Sequence, residues 1–438
     1  MTKSSNIKSA NLSFMSMRDR KIYNKWRLRI LSFIIIGYGT YYLCRLNFSM
    51  IMPSFMEEFS YSKTQMGTVL SIASIVYGIG KFANGYISDR SNARFFMPLG
   101  LFFSALITVS LGFIDGLVFF GCLWVLNNWF QSMGWPPSAR MLTHWFAPQE
   151  LGTKWALGAA SHQVGGAITL VFTGYLVADF GWRYAFIVPG IIAICMSLIL
   201  YNRLRESPKV LGFPSVEAYK GNEQHSEDFN ANNLPSIEIF RQVFFNKNIW
   251  FLCFANMCVY IVRIGIIIWA PLFLNEFKNV SLTHAGWQVA LYEVSGLLGG
   301  FTAGWLSDKV FKSQRGPVGM IFMFFLALTL CLFWQMPIGY EKLSSIAIIF
   351  VGFFVYGPQV LIGVASAEFT SKKAIGTANG LVGAVGGVGS ALSGYCVGWL
   401  IDTYGWSYAF IFFILAALLG SLLFYLTWRN NKDPKNIN

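Results

Sequence analysis

Long apolar stretches recur along almost the whole chain, and they limit it to a lipid environment. A helix of about 20 residues rises about 30 Å, which is the thickness of the hydrocarbon core of a bilayer. Of the 438 residues, 55% are hydrophobic and only 12% are charged, a composition unlike that of soluble globular domains. The sequence therefore predicts an all-α membrane protein with twelve transmembrane helices. Their approximate spans are 28–48, 66–85, 95–114, 118–140, 154–178, 184–202, 247–274, 285–306, 317–336, 344–368, 375–400 and 406–428.

The basic residues are distributed unevenly between the two sides of the predicted helices. An even number of spans places both termini on one side, and 26 of the 33 Lys and Arg residues fall on that side while four fall opposite. Because cytoplasmic segments carry the excess of positive charge in membrane proteins, both termini are predicted to be cytoplasmic. This placement accounts for the net charge of +13, and we expect no binding to nucleic acid.

The second half of the chain repeats features of the first half. Residues 85–90 and 304–309, which lie 219 positions apart, share the pattern Gly-x-x-Ser-Asp followed by a basic residue. Residues 180–186 and 404–410 share Gly-Trp-x-Tyr-Ala-Phe. Internal repeats of this kind are typical of secondary transporters. They predict an N-terminal six-helix bundle (1–202), a central cytoplasmic loop (203–246) and a C-terminal six-helix bundle (247–438), with a substrate path between the bundles.

Three basic residues, Arg45, Lys81 and Arg263, lie inside predicted spans. A charge at the centre of a membrane helix costs about 2.5 to 3.5 kcal/mol on insertion scales, so it indicates a functional site. Arg45 and Arg263 occupy matching positions of the two halves, 218 residues apart, and each follows a tyrosine by three residues (Tyr42 and Tyr260). We interpret the two arginines as the two halves of one anion clamp.

Other polar residues of the spans indicate what the clamp holds. Glu293 is the only carboxylate predicted deep inside a span, so the cavity between the bundles has a net positive charge and selects an anion. Guanidinium groups suit phosphate because each can donate two parallel hydrogen bonds to it. His162, the only histidine deep in a span, is a further candidate ligand. The candidate hydroxyl donors are Tyr38, Tyr42, Tyr77, Tyr260 and Tyr356.

Each of these residues also has a structural interpretation. The arginines could pair with backbone carbonyls or with Glu293, and Lys81 could extend its ammonium group to the cytoplasmic interface. His162 could be an ordinary packing residue. The sequence contains no pattern of a nucleotide site, a metal site or a catalytic triad, so we expect neither a cofactor nor enzymatic activity.

A loop motif in each half resembles the Gly-x-x-x-Asp-Arg-x-x-x-Arg signature of the major facilitator superfamily. The first copy consists of Gly85, Asp89, Arg90 and Arg94. The second consists of Gly304, Asp308 and Lys309, with Arg315 displaced. The resemblance implies the two-bundle major facilitator fold. Charged residues at helix ends can pair with helix termini in one conformation and release them in another, so we predict a gating role, with simple anchoring of the loops as the alternative.

Longer stretches are similar to one group of that superfamily, the organophosphate:phosphate antiporters. These stretches are 41–45 (YYLCR), 77–82 (YGIGKF), 88–94 (SDRSNAR), 133–137 (MGWPP), 260–263 (YIVR) and 356–363 (YGPQVLIG). The resemblance implies exchange of a sugar or glycerol phosphate for inorganic phosphate by alternating access in a bacterial inner membrane, and we expect a monomer. It also implies that Arg45 and Arg263 bind the phosphoryl group, with Lys81 and His162 at or near the same site.

Within that group, segments 123–127, 203–208 and 304–317 look most like the hexose phosphate branch, and glycerol 3-phosphate carriers are nearly as close. The branch contains uptake carriers and also a sensor that reports external glucose 6-phosphate to a partner kinase. Leu46, Ala159 and the pair Ile267-Ile268 replace a lysine, an asparagine and a pair with an aspartate, so the preferred organic phosphate is left open. A non-transporting sensor and a proton-coupled drug or sugar carrier are the alternatives; the second should carry more intramembrane carboxylates than Glu293.

Overall fold

The computed structural model describes residues 17–216, 219, 241–370 and 374–431. Within these ranges the regular secondary structure is helical throughout, so the all-α prediction is confirmed. Several helices begin after a polar residue whose side chain accepts a hydrogen bond from a backbone N–H of the first turn, a group that would otherwise lack a partner. The residues that cap helices in this way include Ser62, Asn92, Asn246 and Ser281.

Fourteen α-helices of the described residues form the architecture. Those of the first half are α1 (Met17–Leu43), α2 (Asn47–Phe59), α3 (Lys63–Arg90), α4 (Ala93–Leu111), α5 (Leu117–Gln131), α6 (Trp135–Trp145), α7 (Pro148–Phe180) and α8 (Tyr184–Arg203). Those of the second half are α9 (Lys247–Leu272), α10 (Leu282–Lys309), α11 (Arg315–Gln335), α12 (Glu341–Glu368), α13 (Ile375–Tyr404) and α14 (Trp406–Asn431). A 3₁₀ turn (Pro208–Leu211) and a π-helical turn (Phe273–Phe277) follow α8 and α9.

Each of the twelve predicted spans lies in one helix or in two consecutive helices. The first span is divided between α1 and α2 and the fourth between α5 and α6, with breaks at residues 44–46 and 132–134. By length and hydropathy, nine of the described helices are able to cross a membrane. The three predicted spans outside those nine are the two divided ones and α10, which carries Gln288 and Glu293.

The two halves of the chain pack in the same way. In the first half, α1 packs against α7, α3 against α5, and α4 against α8. In the second half, α9 packs against α13, α10 against α12, and α11 against α14. These pairs join corresponding spans, so the chain forms two bundles with the same internal order. Of the predicted central loop 203–246, the structure describes only 203–216, 219 and 241–246.

Among the described residues, the main contacts between the two bundles lie toward one end, which we call the closed end. There α3 crosses α13 and α7 crosses α10. A Cβ atom added to Gly67 of α3 would lie 2.4 Å from the carbonyl oxygen of Gly394 in α13, and one added to Gly286 of α10 would lie 2.7 Å from that of Leu170 in α7. Such distances leave no room for a side chain, so the helices meet backbone to backbone.

Polar contacts also join the bundles at the closed end. The Asp402 carboxylate at the end of α13 accepts hydrogen bonds from the backbone N–H groups of Lys63 (3.2 Å) and Thr64 (2.7 Å) and from the Thr64 hydroxyl (2.6 Å). Asp402 thus caps the N-terminus of α3, where a negative charge is favourable. The Lys63 ammonium group also pairs with Glu276, at 2.9 Å.

Toward the other end, which we call the open end, α3 and α13 separate. A Cβ atom added to Gly78 or Gly85 of α3, or to Gly380 or Gly383 of α13, would meet no atom within 4 Å. α3 and α13 are therefore in contact at the closed end and apart toward the open end, where α1 begins and α8 ends.

We expect Asp402→Ala to weaken the contact between the two bundles at the closed end more than Glu276→Gln does. The first substitution removes three hydrogen bonds to the start of α3, together about 1–2 kcal/mol, whereas the second removes one exposed ion pair, about 0–1 kcal/mol. Spin labels at positions 57 and 404, in a variant without the seven native cysteines, would report the separation of the bundles by pulsed electron paramagnetic resonance. A longer-distance population should grow several-fold in Asp402→Ala and little in Glu276→Gln. Equal populations in the two variants would contradict the assignment.

Candidate anion-binding site between the bundles

Arg45 lies at the break between α1 and α2. The N–H groups of Cys44 and Arg45 donate to carbonyls three residues earlier, those of Tyr41 (3.2 Å) and Tyr42 (3.1 Å), rather than four residues earlier as in an α-helix. The chain resumes regular helix at Asn47. The arginine therefore projects from an irregular turn, which is tolerated at membrane depth only where protein or water satisfies the freed backbone groups.

A buried network of side chains supports this break. The Asn127 amide donates to the Cys44 carbonyl (2.8 Å) and the Gln131 amide to the Tyr41 carbonyl (3.0 Å). The Ser104 hydroxyl links the two amides, because it donates to the Asn127 oxygen (2.6 Å) and accepts from Gln131 (2.7 Å). Amides of α5 thus bond to the carbonyls at the break, and Ser104 of α4 holds the two amides in place. The sequence analysis missed these three residues, although buried amides inside a predicted span were a usable signal.

Aromatic rings surround the Arg45 guanidinium group. Its central carbon lies 3.9 Å from the centre of the Tyr77 ring and 5.6 Å from that of Tyr42. The Lys81 ammonium group lies 5.0 Å from the same Tyr77 ring, and the Tyr77 hydroxyl interacts with both cations. No carboxylate of the described residues forms an ion pair with either of them. Cation–π contacts hold the two positive charges without neutralising them.

Arg263 lies on the facing side, within the continuous helix α9. Its side chain is buried, with 7% exposure, and its guanidinium carbon lies 4.5 Å from the Tyr356 ring and 5.9 Å from the Tyr260 ring. The Nε atom is buried without a hydrogen-bond partner. The Tyr292 hydroxyl donates to the carbonyl of Arg263 (3.1 Å) and so fixes the backbone there.

Glu293 does not form an ion pair with either arginine. Its carboxylate is buried and accepts a 2.6 Å hydrogen bond from the Tyr356 hydroxyl. Tyr356 therefore contacts both Glu293, through its hydroxyl, and Arg263, through its ring. The structural alternative in which the arginines serve mainly to pair with Glu293 is not realised in this conformation.

His162 of α7 lies between the two halves of the site. Its ring centre is 5.8 Å from that of Tyr42 and 6.5 Å from that of Tyr356. The imidazole interacts electrostatically with all three cations, Arg263, Arg45 and Lys81. Its Nδ1 atom hydrogen-bonds to the Ala159 carbonyl, and because a carbonyl only accepts, Nδ1 carries the proton in that contact. In a neutral imidazole, Nε2 is then free to accept a hydrogen bond.

The remaining predicted residues lie around this centre. Tyr38 is buried one helical turn before Tyr42, with its ring centre 5.8 Å from that of Tyr42 and 5.1 Å from that of Trp135, so it supports Tyr42 from behind. Leu46, one of the departures from the family pattern, follows Arg45 and faces Gly166: a Cβ atom added to that glycine would lie 3.1 Å from Leu46. The same added atom would lie 3.7 Å from the Glu293 carboxyl carbon, so an apolar side chain lines the site beside Glu293.

Comparisons with known proteins agree with this architecture. The profile of the Major Facilitator Superfamily matches residues 34–360 and 252–438. The chain belongs to the major facilitator superfamily. A crystal structure of a bacterial homologue of the human lysosomal transporter Spinster, in an inward-facing and unoccupied conformation, superimposes with a TM-score of 0.78 over 92% of this chain and 97% of that chain. The sequence identity is 17%, so the likeness concerns the fold, and the predicted major facilitator fold is confirmed.

Relatives of higher identity lie in the organophosphate group of the superfamily, as the sequence motifs predicted. A "Probable hexose phosphate transport protein" of Chlamydia pneumoniae is 39% identical over 95% of this chain and 94% of its own length. A "Glycerol-3-phosphate transporter" of Bacillus subtilis is 38% identical over 95% of each chain. A "Membrane sensor protein UhpC" of Escherichia coli is 36% identical over 94% of each. Two of these relatives are named as transporters and one as a sensor, and none of the three is named as an enzyme.

The two copies of the superfamily loop motif differ at the open end. In the second half, Arg315 pairs with Asp308 and with Glu368 (2.9 Å). In the first half, Asp89 and Arg90 are exposed, and the Arg90 guanidinium group stacks on Tyr86, at 3.6 Å from the ring centre. Arg94 donates to the Tyr201 carbonyl (3.4 Å), and Lys309 is exposed. The predicted gating role of these residues stays a prediction.

Arg140, which the sequence analysis did not assign to this motif, holds the end of α3. Its guanidinium group donates to the carbonyls of Ser88 (2.5 Å) and Ser91 (2.8 Å) and pairs with Glu206 (2.6 Å). A cation at the C-terminus of a helix is favourable. Arg140 of α6 thus joins the C-terminus of α3 to the segment after α8 in the first bundle, whereas Arg315 of α11 joins the C-termini of α10 and α12 in the second.

We expect Asn127→Leu and Gln131→Leu to displace Arg45, because each removes a buried side-chain hydrogen bond to a carbonyl of the break, worth about 0.5–1.5 kcal/mol. Each variant should unfold at a lower temperature in detergent and bind inorganic phosphate at least about fivefold more weakly. Asn128→Leu is the matched control: its amide donates to the Trp124 carbonyl of its own helix (2.9 Å), so phosphate affinity should change by less than about twofold. If the control lost as much affinity as the other two, the network would not be what positions Arg45.

Proposed function

We propose that this protein exchanges an organic phosphate, a hexose 6-phosphate or glycerol 3-phosphate, for inorganic phosphate across the membrane. One observation carries the proposal: Arg45 and Lys81 of one bundle and Arg263 of the other all interact electrostatically with His162, and the one carboxylate that interacts with this group, Glu293, forms no ion pair with any of the three among the described residues. Three such charges in a low-dielectric site require an anion. The relatives named for hexose phosphate and glycerol 3-phosphate support the class of anion.

The placement of the cations supports a mechanism of alternating access. Arg45 and Arg263 belong to different bundles, so one phosphoryl group bound by both draws the bundles together. Without an anion their like charges repel, which raises the barrier to reorientation of the empty carrier. The cycle then proceeds only with an anion in each direction, which makes exchange obligatory. An outward gradient of inorganic phosphate drives the organic phosphate inward without ATP.

His162 has a distinct role in this proposal. With Nδ1 donating to the Ala159 carbonyl, the neutral imidazole offers Nε2 as an acceptor. A phosphoryl group with one proton can donate its hydroxyl to Nε2 while its other oxygens accept from the guanidinium groups. The histidine therefore adds a contact that only the protonated form of phosphate can make.

Orientation and assembly complete the proposal. With both termini in the cytoplasm, the open end faces the cytoplasm, and the charged residues Asp89, Arg90, Arg94, Asp308 and Lys309 surround the inner opening, where they gate it. The monomer, with bundles 1–202 and 247–438 and the loop 203–246 between them, contains the whole site. The cell location that this implies is the bacterial inner membrane.

We expect radiolabelled phosphate to leave proteoliposomes only when glucose 6-phosphate or glycerol 3-phosphate is present outside. Arg45→Gln and Arg263→Gln should each slow this efflux by about 10- to 100-fold, since a hydrogen bond to a charged group contributes about 1.5–3 kcal/mol. Arg45→Lys keeps the charge but loses the paired hydrogen bonds, and it should be intermediate. Lys312→Gln removes an exposed positive charge from the open end and should leave the rate unchanged.

A second function, a non-transporting sensor of hexose phosphate, is favoured by the relative named as a membrane sensor. The same variants separate the two functions when binding is measured by the rise in unfolding temperature on addition of each phosphate ester. Binding that depends on Arg45 and Arg263, without exchange, would identify the sensor and indicate a signalling partner. No binding of any phosphate ester to folded protein would overturn both functions.

A further inference from the structure

A second basic site lies on the outer surface of the first bundle at the open end. A groove of about 880 Å³ runs between the start of α1 and the end of α8. From α1, the residues Trp26, Arg29 and Phe33 are spaced three and four positions apart and so share one helical face. From α8, Asn202 and Arg203 follow Ile199 by three and four positions and so lie near its face of the helix. The groove is lined by Trp26, Arg29, Phe33, Ile199, Asn202, Arg203 and Arg205.

The three arginines of this groove lack anionic partners. None of them forms an ion pair with a carboxylate in the part of the chain that the structure describes. Glu206, which follows Arg205 in the sequence, forms an ion pair with Arg140 (2.6 Å), and Glu150 forms one with Arg27. Burial, together with the charges of Arg94 and Arg29, lowers the pKa of Arg205. The cluster therefore carries repulsion that a bound anion would relieve.

Trp26 holds two of these guanidinium groups in place. Its ring centre lies 4.5 Å from the guanidinium carbon of Arg29 and 5.7 Å from that of Arg205. Tryptophan is concentrated at the level of lipid headgroups in membrane proteins. The Arg205 Nη1 atom also donates to the carbonyls of Asn202 (2.9 Å) and Leu204 (2.7 Å), which orients that guanidinium group and leaves its other N–H groups available.

Next to the arginines, α1 and α8 expose apolar side chains at their surface. On α1 these are Leu28 (67% exposed) and Ile36 (48%), and on α8 Leu198 (56%) and Ile199 (42%). Arg29 is 16 residues before Arg45, so about 24 Å of helix separates this groove from the central site. The groove therefore combines a cationic part at the headgroup level with an apolar part at the level of the acyl chains.

We propose that this groove binds an anionic phospholipid of the leaflet at the open end. The guanidinium groups of Arg29, Arg203 and Arg205 bind the phosphodiester of its headgroup, and one acyl chain lies along Phe33, Ile36 and Ile199. Basic pockets between transmembrane helices bind anionic headgroups in this manner. The continuous apolar surface distinguishes a lipid from a free phosphate ion, which would gain nothing from it.

Native mass spectrometry of the purified full-length protein in a neutral detergent tests the proposal. The probes are phosphatidylglycerol and phosphatidylcholine with identical chains, added at equal concentration. Wild-type protein should retain phosphatidylglycerol at least about tenfold more than phosphatidylcholine, and the triple variant Arg29→Gln/Arg203→Gln/Arg205→Gln should lose that preference, since each basic group near the surface contributes up to about fivefold to the attraction of anionic lipid. The control variant Lys247→Gln/Lys312→Gln/Arg429→Gln removes the same charge from exposed positions of the second bundle and should behave as wild type.

Three results would overturn the proposal. The triple variant could keep the preference for phosphatidylglycerol, the control variant could lose that preference to the same extent, or millimolar inorganic phosphate could displace the lipid. The last result would indicate a phosphate ion site rather than a lipid site. A misfolded triple variant is recognised by its loss of phosphate binding at the central site, and in that case the single variant Arg203→Gln, at an exposed position, should show a reduction of about threefold to fivefold. Unchanged lipid retention in that variant would overturn the proposal as well.

Discussion

The rest of the structure depends on an excess of positive charge inside a membrane protein, three cations near a single carboxylate. Arg45, Lys81 and Arg263 are surrounded by the rings of Tyr77, Tyr42, Tyr260 and Tyr356 rather than by acids. An aromatic ring stabilises a cation modestly and does not cancel its charge. These rings hold the arginine side chains in place, and the positive charge of the arginines remains available to attract an anion. Glu293, the one buried acid nearby, is held by the Tyr356 hydroxyl instead.

The backbone that carries these charged residues differs between the two halves of the chain. Around Arg45 the helix is broken, and amides from α5 bond to the freed carbonyls of Tyr41 and Cys44. Around Arg263 the helix is continuous, and the Tyr292 hydroxyl adds a bond to its carbonyl. The first arginine is therefore placed by a polar network inside its own bundle, the second by burial in a regular helix. A broken segment also has more freedom to adjust than a regular one, which makes the α1–α2 side the better candidate for local movement.

In the proposed mechanism of alternating access, the contacts between the bundles decide which side the site faces. At the closed end, glycines bring α3 against α13 and α7 against α10, and Asp402 bonds to the start of α3. Apolar side chains of both bundles also share one hydrophobic cluster, so the contact is held by burial as well as by these polar and close backbone contacts. At the open end, the ion pairs of Arg140 and Arg315 remain within their own bundles. Each bundle is thus internally braced where the two bundles are apart.

The amino-acid sequence by itself determined the membrane environment, the apolar spans, the internal repeat and the candidate residues of the site, because hydrophobic length and buried charge are local properties that composition and spacing record. It also placed Arg45 and Arg263 at equivalent positions. Only the tertiary structure decided that Arg45 lies at a helix break, that Asn127, Gln131 and Ser104 support it, that Glu293 pairs with Tyr356, and that Arg140 takes the bracing role in the first bundle. Those outcomes depend on contacts between residues distant in sequence, which no pattern within one helix specifies. The grouping of Arg29, Arg203 and Arg205 in one groove has the same origin, since it exists only where the start of α1 meets the end of α8.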